Sequence, residues 1–398
     1  MHVLLLNQYY PPDTAATAKI AAVVAETLAE RHRVTVLAAR PSYDPSEHHS
    51  YYVLRRVVHG NLTVERVGST AYPRFQMRRR LTNYLTYLSL AIPRALTIRS
   101  DVLLAMTDPP VMGIAAALVA KLTGRPLVYN IRDLYPDMAL GGEIVRPGRW
   151  VRYWEKLHRR ALRQAARVIV LGEDMRDRII AKGVDPARVV IVRDGAPLPE
   201  RVASPEHPVA REIRGGFRFV LVHAGNLGFY GAWQTLIGAM KLLENEGVGL
   251  VFVGDGVLKP QIEAAAKGCP AVRFLPFRPA EEVPFVMAAG DLHVVTVKRG
   301  LEGVVVPSKL YTILAAGRPV LAVAPEESDA VRIVRRTGCG VAADPDDPRA
   351  VAEAVRALVR APEQIAHMAR RARECARGYD RVALLKIFVQ VVEEASQR

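Results

Sequence analysis

An acidic residue, a serine and a lysine lie close together in the segment LEGVVVPSKLYTILAAGRPVLAVA, residues 301–324. Pro307 suits the first position of a helix, because the N–H that proline lacks has no partner there in any case. The free N–H groups of a helix starting near Pro307 attract a diphosphate, to which Ser308 adds a hydroxyl and Lys309 a charge. Glu302, on the loop ahead, can accept hydrogen bonds from sugar hydroxyls. The alternative is a solvated lysine and an ordinary loop acid.

A glycine-rich turn follows the apolar run FVLVHA. Gly225, Asn226 and Gly228 lie where a strand leads into a helix, and glycines let a phosphate approach the backbone closely. The same turn could simply be tight. No complete G-x-G-x-x-G is present, which disfavours a dinucleotide cofactor, and we expect no cofactor.

Polar residues also follow two apolar runs in the first half of the chain. Tyr10, Asp13 and Thr14 come after HVLLLN, and Arg132 and Asp133 come after PLVYN. Open α/β sheets bind ligands at the carboxyl ends of their strands, so these residues are candidates for the second ligand. Asp13 and Thr14 could instead cap the helix that follows. The two adjacent charges could instead pair with neighbours.

The sequence offers little for a metal. Asp344 and Asp346 form a D-x-D pattern, but they lie in a Pro- and Asp-rich run typical of turns. The three cysteines are odd in number and far apart, which excludes a disulfide framework and fits a reducing compartment. We therefore expect no metal site, and no histidine is assigned a catalytic role.

The elements that must position these residues alternate along the chain. Short β-rich apolar runs are separated by amphipathic stretches, which predicts parallel sheets covered by helices in an α/β protein. At 398 residues the chain is long enough for two domains. Residues 1–196 form the first βα domain, the Pro- and Gly-rich residues 197–216 a linker, and residues 217–378 the second domain. By analogy with two-lobed folds, a last helix in residues 379–398 returns to the first domain.

The formal net charge is +15, which suggests a polyanionic partner. Residues 74–99 contain no acid, and a basic amphipathic helix of this kind suits an anionic membrane. The alternative is a helix packed on the first domain with its arginines in solvent. No nucleic-acid-binding signature accompanies the charge, so we expect no nucleic acid. The arginines are Arg74, Arg78, Arg79, Arg80, Arg94 and Arg99, and the interleaved apolar residues are Leu81, Tyr84, Leu85, Tyr87, Leu88 and Leu90.

The longest apolar stretch, residues 111–120, is about half the ~20 residues that a membrane span needs. The N-terminal apolar run has no basic leader and no small-residue cleavage site, so we interpret it as a first strand. The expected location is the cytoplasm, with peripheral contact to the inner face of the cell membrane.

These motifs together resemble the family 4 retaining glycosyltransferases of the GT-B fold, whose donor-site signature is E-x7-E. The segment after Glu302 is similar to the Pro-Ser-Lys variant found in enzymes of bacterial surface polysaccharide assembly, including those that resemble L-fucosamine transferases. The resemblance covers nearly the whole chain. Its other markers, in the family's order, are QYYPPDTAAT (8–17), IRDLYPD (131–137), HAGNLG (223–228) and FVGDG (252–256).

The resemblance implies two Rossmann-like domains facing a central cleft. Glu302, Lys309, Arg132 and Asp133 become the candidate catalytic residues. Tyr10, Asp13 and Thr14 become acceptor-side residues. The donor-binding set is Gly225, Asn226, Gly228, Asp255, Phe277, Lys298, Arg299, Pro307 and Ser308.

The chain also departs from the family pattern. Leu310 stands where the second glutamate, which in the family usually binds the ribose, is expected. The basic pair that many members carry after the glycine turn is missing, since Gly228 precedes Phe229 and Tyr230. Neutralisation of a diphosphate then depends on Lys309, with Lys298 or Arg299 as further candidates.

The expected activity is metal-independent transfer of a hexosyl group from a nucleoside diphosphate sugar, a UDP-sugar first, with retention implied only by the family. The acceptor would be a polyprenyl-diphosphate-linked saccharide, or else a soluble natural product or aminoglycoside. Two other classes remain open. One is a sugar-nucleotide epimerase of the same fold, and the other is a non-catalytic basic protein that binds membranes or nucleic acid.

Overall fold

The computed structural model describes residues 1–42, 52–72 and 77–397, with Met77 and Arg78 described by backbone alone. The chain divides into two compact units. Unit 1 consists of Met1–Leu171, Met175–Val192 and the residues from Leu385 onward. Unit 2 consists of Gly172–Asp174 and Arg193–Leu384.

Within the described residues, unit 1 is built on an eight-stranded sheet of order β3-β4-β2-β1-β5-β6-β7-β8. Only the β3–β4 pair is antiparallel among these strands. The central strands are continuous apolar runs because helices cover both faces of a parallel sheet. The strands are β1 (His2–Leu6), β2 (Arg33–Ala39), β3 (Leu54–His59), β4 (Leu62–Val67), β5 (Val102–Ala105), β6 (Leu127–Asn130), β7 (Arg167–Val170) and β8 (Val189–Ile191).

The first unit's helices connect these strands. After β1 the chain passes through α1 to β2, which pairs with one side of β1. The later strand β5 pairs with the other side of β1, so the strand order reverses between β1 and β5. At such a switch point the loops diverge and leave a crevice for ligands. The helices are α1 (Ala16–Ala29), α2 (Met77–Thr97), α3 (Met112–Thr123), α4 (Asp137–Gly141), α5 (Arg149–Gln164) and α6 (Glu173–Ala181).

Unit 2 contains a six-stranded parallel sheet of order β11-β10-β9-β12-β13-β14 in the described part of the chain, with its switch point between β9 and β12. The expected α/β organisation in two domains is confirmed. The strands are β9 (Phe219–Ala224), β10 (Val248–Val253), β11 (Val272–Leu275), β12 (Leu292–Thr296), β13 (Val320–Val323) and β14 (Gly340–Ala343). The helices are α7 (Pro208–Arg214), α8 (Trp233–Leu242), α9 (Lys259–Ala265), α10 (Val283–Ala289), α11 (Lys309–Ala315), α12 (Asp329–Thr337), α13 (Pro348–Val359), α14 (Pro362–Ala376) and α15 (Arg381–Ser396).

The linker expected over residues 197–216 lies within unit 2, just after the chain leaves unit 1 at Val192. These residues belong to unit 2, and the chain first passes from unit 1 to unit 2 at Gly172. The segment contains α7, whose Arg214 guanidinium donates to both carboxylate oxygens of Asp291 at 3.1 and 3.0 Å. Asp291 also accepts a hydrogen bond from the Val220 N–H at 2.8 Å, so α7 is tied to β9. Proline at 208 marked a helix start rather than a break.

The C-terminal helix α15 ends within unit 1. Glu393 accepts a hydrogen bond from His32 at 2.7 Å and lies 3.3 Å from the Arg31 guanidinium. Glu394 lies 3.4 Å from Arg167 at the start of β7. These contacts and the buried Val392 attach the last turns of the helix to the first sheet unit.

The helix α2, expected to lie on a membrane, packs one side on unit 1 and exposes leucines on another. Tyr87 is fully buried and donates to the Leu37 carbonyl at 2.7 Å, and Arg94 forms two hydrogen bonds with Glu65. Leucines instead face solvent, with Leu81 59% and Leu85 60% exposed. The buried carboxylate of Glu65 binds Arg94, and the local sequence of α2 does not reveal this contact.

The remaining arginines of the basic stretch divide as follows. Arg79 lies over the Tyr72 ring, and the Arg80 guanidinium hydrogen-bonds to Tyr9. Arg99 is exposed. Arg74 and the side chain of Arg78 lie outside the described residues. None of the described helices combines the length and the hydrophobicity that crossing a bilayer requires.

We expect Asp291→Asn to lower the free energy of unfolding of unit 2 by about 1–3 kcal/mol, because Arg214 and the Val220 N–H lose a charged acceptor. Urea denaturation followed by far-UV circular dichroism measures this change. Glu206→Gln is the matched control, because it breaks the exposed Glu206–Arg211 pair near the same helix and should cost less than about 0.5 kcal/mol. Equal effects of the two substitutions would contradict the proposed tie.

Candidate functional site

The helix that carries Lys309 begins later than the sequence suggested. Ser308 is the N-cap of α11 and Lys309 its first residue, two positions after Pro307. The helix has 7 residues, about two turns, so its dipole and free N–H groups contribute less than a long helix would. Pro307 instead accepts the first turn's hydrogen bond, from the Leu310 N–H at 3.1 Å. The Lys309 side chain itself is therefore the main feature of this end.

Lys309 lies against the glycine turn that follows β9. Its ammonium donates to Nε2 of His223 at 2.9 Å and lies 3.5 Å from the Tyr230 hydroxyl. A Cβ at Gly225 would lie 3.3 Å from the ammonium nitrogen, and Gly225 has φ +135°. Glycine at 225 therefore provides both the backbone conformation and the space for the lysine.

Burial controls the charge of this cluster. Loss of hydration lowers the pKa of Lys309 to about 7. Burial, with the lysine nearby, holds the pKa of His223 well below its usual value, so the imidazole is neutral and accepts the lysine's hydrogen bond. Within the described residues no carboxylate lies within salt-bridge distance of Lys309. The site is a desolvated cation with no protein counter-ion, which is the electrostatic requirement of an anion-binding site.

Two motifs at the carboxyl edge of the second sheet lock together through their backbones. The Gly225 N–H donates to the Val253 carbonyl at 2.9 Å, and the Leu227 N–H donates to the Asp255 carbonyl at 2.8 Å. A Cβ on Gly254 would lie 2.0 Å from the Gly225 carbonyl oxygen. HAGNLG and FVGDG are thus one structure, and the glycine in the second motif is a packing requirement.

The far end of the glycine turn is fixed by two aromatic side chains. The Trp233 indole N–H donates to the Gly228 carbonyl at 2.8 Å, and the Tyr230 hydroxyl donates to the Asn226 carbonyl. Tyr230, which stands where family members carry a basic residue, therefore shapes the turn and contacts Lys309.

Glu302 lies on the loop after β12, close to the same switch point. Its carboxylate accepts a hydrogen bond from the Gly300 N–H at 2.7 Å. The next residue, Gly303, donates its N–H to Asp174 at 3.0 Å, and Asp174 also accepts from the Asp329 N–H at 2.9 Å. Asp174 therefore holds the Glu302 loop, a role that sequence reasoning missed because Asp174 follows β7 and lies far away in the chain.

The structure separates the two further basic candidates. The Arg299 guanidinium pairs with Asp344 at 2.8 Å and Asp346 at 2.6 Å. The D-x-D residues thus bind an arginine of their own chain, and Arg299 is neutralised. Lys298 is half-buried and its backbone N–H donates to the Tyr230 carbonyl at 2.7 Å, beside Lys309's partner.

The structure also shows the surroundings of three other donor-side positions. Leu310 is 2% exposed and packs in the core, so no ligand contact is available at the position of the missing glutamate. Asp255 is exposed, with its carboxylate accepting the Gly256 N–H at 2.8 Å. Phe277 is 56% exposed on the loop after β11, the outermost strand of the sheet, which places it two strands away from the switch point.

In unit 1 the first loop is built around Asp13. Its carboxylate accepts a hydrogen bond from the Ser42 N–H at 2.9 Å, and the N-cap of α1 is Ala15, with no side-chain cap. The capping alternative for Asp13 and Thr14 is therefore wrong, and Thr14 is exposed. Tyr10 is buried, with the Arg66 guanidinium 5.9 Å from its ring centre.

A further acid lies at the switch point of the first sheet. Asp108 follows β5, and burial raises its pKa, while its hydrogen bond with Thr17 and the nearby Arg80 and Arg132 favour the ionised form. Arg132 and Asp133 are half-buried on the loop after β6. Sequence reasoning missed Asp108, although its place directly after a buried strand was a usable signal.

The strand order 3-2-1-4-5-6 of unit 2, a desolvated lysine near its switch point and a second α/β unit define a protein with two domains of the nucleotide-binding type. Two family models match the chain. "Glycosyl transferase 4-like domain" matches residues 16–195, and "Glycosyl transferases group 1" matches residues 218–361. The chain belongs to the family 4 GT-B glycosyltransferases and is a glycosyltransferase, as the motifs predicted.

Two relatives are similar in sequence. WbjE of Pseudomonas aeruginosa, named as a glycosyltransferase, is 29% identical over 266 residues, which cover 65% of this chain and 66% of WbjE. WcaI of Escherichia coli K12, named as a glycosyl transferase of colanic acid biosynthesis, is 24% identical over 380 residues, which cover 91% of this chain and 93% of WcaI.

Solved structures share the fold over the full length. The Anabaena protein HepE in complex with UDP-glucose has a TM-score of 0.70 and is 19% identical to this chain. The alignment covers 100% of both chains. The sucrose-phosphate synthase of Thermosynechococcus elongatus has a TM-score of 0.74 at 13% identity, covering 99% of this chain and 98% of the synthase. At these identities the likeness establishes the fold.

The buried Lys309 predicts a pH-dependent stability. The unfolded lysine titrates near 10.5 and the native one near 7, so between these values the unfolded state binds more protons and the free energy of unfolding rises with pH. Below about pH 7 both states are protonated and the lysine's contribution no longer changes. Lys309→Met should remove this rise, seen in urea denaturation at several pH values.

The difference in stability between the wild type and Lys309→Met should therefore vary with pH above about 7. Lys241→Met removes the same charge from an exposed position and serves as the control. A difference that is independent of pH over this range would contradict the burial of the Lys309 ammonium.

Proposed function

We propose that this glycosyltransferase uses a nucleoside diphosphate sugar, with UDP-sugars first among the candidates. The observation that carries the proposal is the desolvated Lys309 ammonium at the switch point of unit 2, which has no carboxylate at salt-bridge distance among the residues that the structure describes. A diphosphate bound beside the glycine turn supplies the missing negative charge. The HepE structures that share this fold are in complex with UDP and with UDP-glucose.

In this proposal Lys309 acts on the leaving group. Breaking the bond between the sugar and the diphosphate places new negative charge on the departing phosphate oxygen. A cation already desolvated and held by His223 stabilises that charge without reorganising water. Tyr230, whose hydroxyl donates to the Asn226 carbonyl, holds the glycine turn beside the lysine.

The proposed sugar contact is Glu302, whose loop is fixed by the Gly303–Asp174 hydrogen bond. A rigid carboxylate accepts hydrogen bonds from sugar hydroxyls and so orients the donor. Because Leu310 is a core residue, recognition of the ribose and base must come from other residues of unit 2. Asn226, Asp255 and Lys298 lie on the loops of this sheet edge and are the proposed contributors.

For the acceptor we propose the switch point of unit 1. Asp108 and Arg132 are the proposed contacts there, with Asp133 and Tyr10 on the same unit. A polyprenyl-diphosphate-linked saccharide in surface polysaccharide synthesis is the proposed acceptor, and the name of WcaI, which refers to colanic acid biosynthesis, supports the polysaccharide part of this proposal. Retention, metal independence and the lack of a cofactor complete the proposal and rest on the family resemblance.

Titration calorimetry with UDP, GDP and dTDP tests the donor. We expect at least one nucleotide to bind, and Lys309→Ala to weaken it roughly 100-fold, because an uncompensated diphosphate then remains in a desolvated site. At pH 8 Lys309 is mostly neutral, and the bound diphosphate raises its pKa. Binding should therefore take up about 0.9 proton, measured from the dependence of the heat on buffer ionisation.

Lys241→Ala, which removes an exposed lysine of unit 2, is the control and should leave the affinity unchanged. Failure of every nucleotide to bind the wild-type protein would refute the donor proposal. Binding without proton uptake would assign the diphosphate to another cation.

Glu302→Ala should separate the sugar from the nucleotide. We expect the affinity for the cognate UDP-sugar to fall roughly tenfold, which is the loss of one or two hydrogen bonds to a charged acceptor, while the affinity for UDP stays the same. Glu327→Ala removes an exposed acid of the same unit and should change neither value. A parallel loss of UDP affinity in Glu302→Ala would show that the residue acts on the loop and not on the sugar.

A further inference from the structure

One face of helix α5 carries an unusual concentration of exposed cations. Five basic residues at helical spacing lie on a single stripe together with a tyrosine, and all are exposed. Within the described residues none of the five has a carboxylate at salt-bridge distance. We call this stripe the α5 cationic face, and it consists of Arg149, Arg152, Tyr153, Lys156, Arg160 and Arg163.

The acidic residue of α5, Glu155, forms its ion pairs to one side of this face. Glu155 binds Lys182 at 2.8 Å and Arg159 at 2.5 Å. Lys182 in turn binds Asp137 at 2.8 Å, and His158 lies buried against Tyr129. The inner side of α5 is therefore electrically satisfied, whereas the outer face keeps its full positive charge.

Large apolar side chains lie at the start of this face. Trp150 is 85% exposed, Tyr153 56% and Ile144, five residues before the helix, 44%. Exposing a tryptophan to this degree leaves much apolar surface in water, and Trp and Tyr favour the boundary between water and lipid.

Exposed leucines also occur on the neighbouring helix. The helix α3 packs against α5, and its Leu118 and Leu122 are 48% and 63% exposed. Lys121, between them, is also exposed. Aliphatic side chains among cations match the mixed character of a membrane surface, in which acyl chains lie below charged headgroups.

We propose that the α5 cationic face docks unit 1 onto a lipid bilayer that carries anionic headgroups. The five cations contact the headgroup phosphates, while Trp150 and Ile144 enter the interfacial layer. A nucleic acid offers the same negative charge but no apolar layer for Ile144, Leu118 and Leu122. The inference places a membrane contact on α5 and does not depend on the identity of the donor.

Sedimentation of the full chain with vesicles tests the proposal. We expect binding to phosphatidylcholine vesicles that contain about a third phosphatidylglycerol, and little binding to pure phosphatidylcholine. Each cation near an anionic surface contributes about a five-fold change in partitioning, so Arg152→Gln with Lys156→Gln should weaken binding about 25-fold. Circular dichroism shows whether the double variant is folded.

Arg349→Gln with Arg370→Gln is the matched control, because it removes the same charge from exposed positions of unit 2. An equal loss in this control would overturn the proposal, since net charge alone would then explain binding. Equal binding to neutral vesicles would also overturn it.

Two further measurements locate the contact. Brominated lipids should quench the tryptophan fluorescence of the wild type, and Trp150→Ala should remove most of that quenching, whereas quenching that survives the substitution places the contact elsewhere. A labelled single-stranded RNA is the competitor. If the α5 double variant loses RNA binding but keeps vesicle binding, the face serves nucleic acid and the membrane proposal is overturned.

Discussion

The position of the Lys309 ammonium is the constraint on which the second unit's site depends. A lysine is placed out of water, beside a neutral histidine, where only a glycine leaves room for it. The lowered pKa of Lys309 measures the cost of this arrangement, and an anionic ligand is the natural compensation. The same constraint explains the surrounding sequence, because His223 must stay neutral and Gly225 must lack a Cβ. Tyr230 completes the arrangement in place of a second cation.

The two sheets use their switch points with opposite electrostatics. In unit 2 a cation lacks a counter-ion, which suits a diphosphate. In unit 1 a buried carboxylate, Asp108, lies among arginines, which suits a neutral polar group such as a hydroxyl. Both sites follow from the same property of parallel sheets, whose loops diverge where the strand order reverses. Asp174 shows how distant segments support such a site, since it reaches the Glu302 loop from the turn after β7.

Several sequence expectations failed for identifiable physical reasons. Alternating basic and apolar residues in α2 indicated arginines that face outward, but Glu65 lies buried on β4 and attracts Arg94 inward. The prolines before α7 suggested a linker, although proline also begins helices. The sequence does not identify the exposed cations of α5, because the charges along a helix do not by themselves show which face packs against the rest of the protein. Each failure concerned a contact between segments far apart in sequence.

The sequence alone determined the α/β class, the two domains, the family and the loops that carry the donor-site motifs. These features depend on local periodicity and on short glycine-containing turns, which act over a few residues. Only the tertiary structure decided that Lys309 is desolvated, that Arg299 pairs with Asp344 and Asp346, that Asp108 lies among arginines and that Asp174 holds the Glu302 loop. Charge state and availability depend on which distant groups surround a side chain, and those neighbours are set only when each unit has folded.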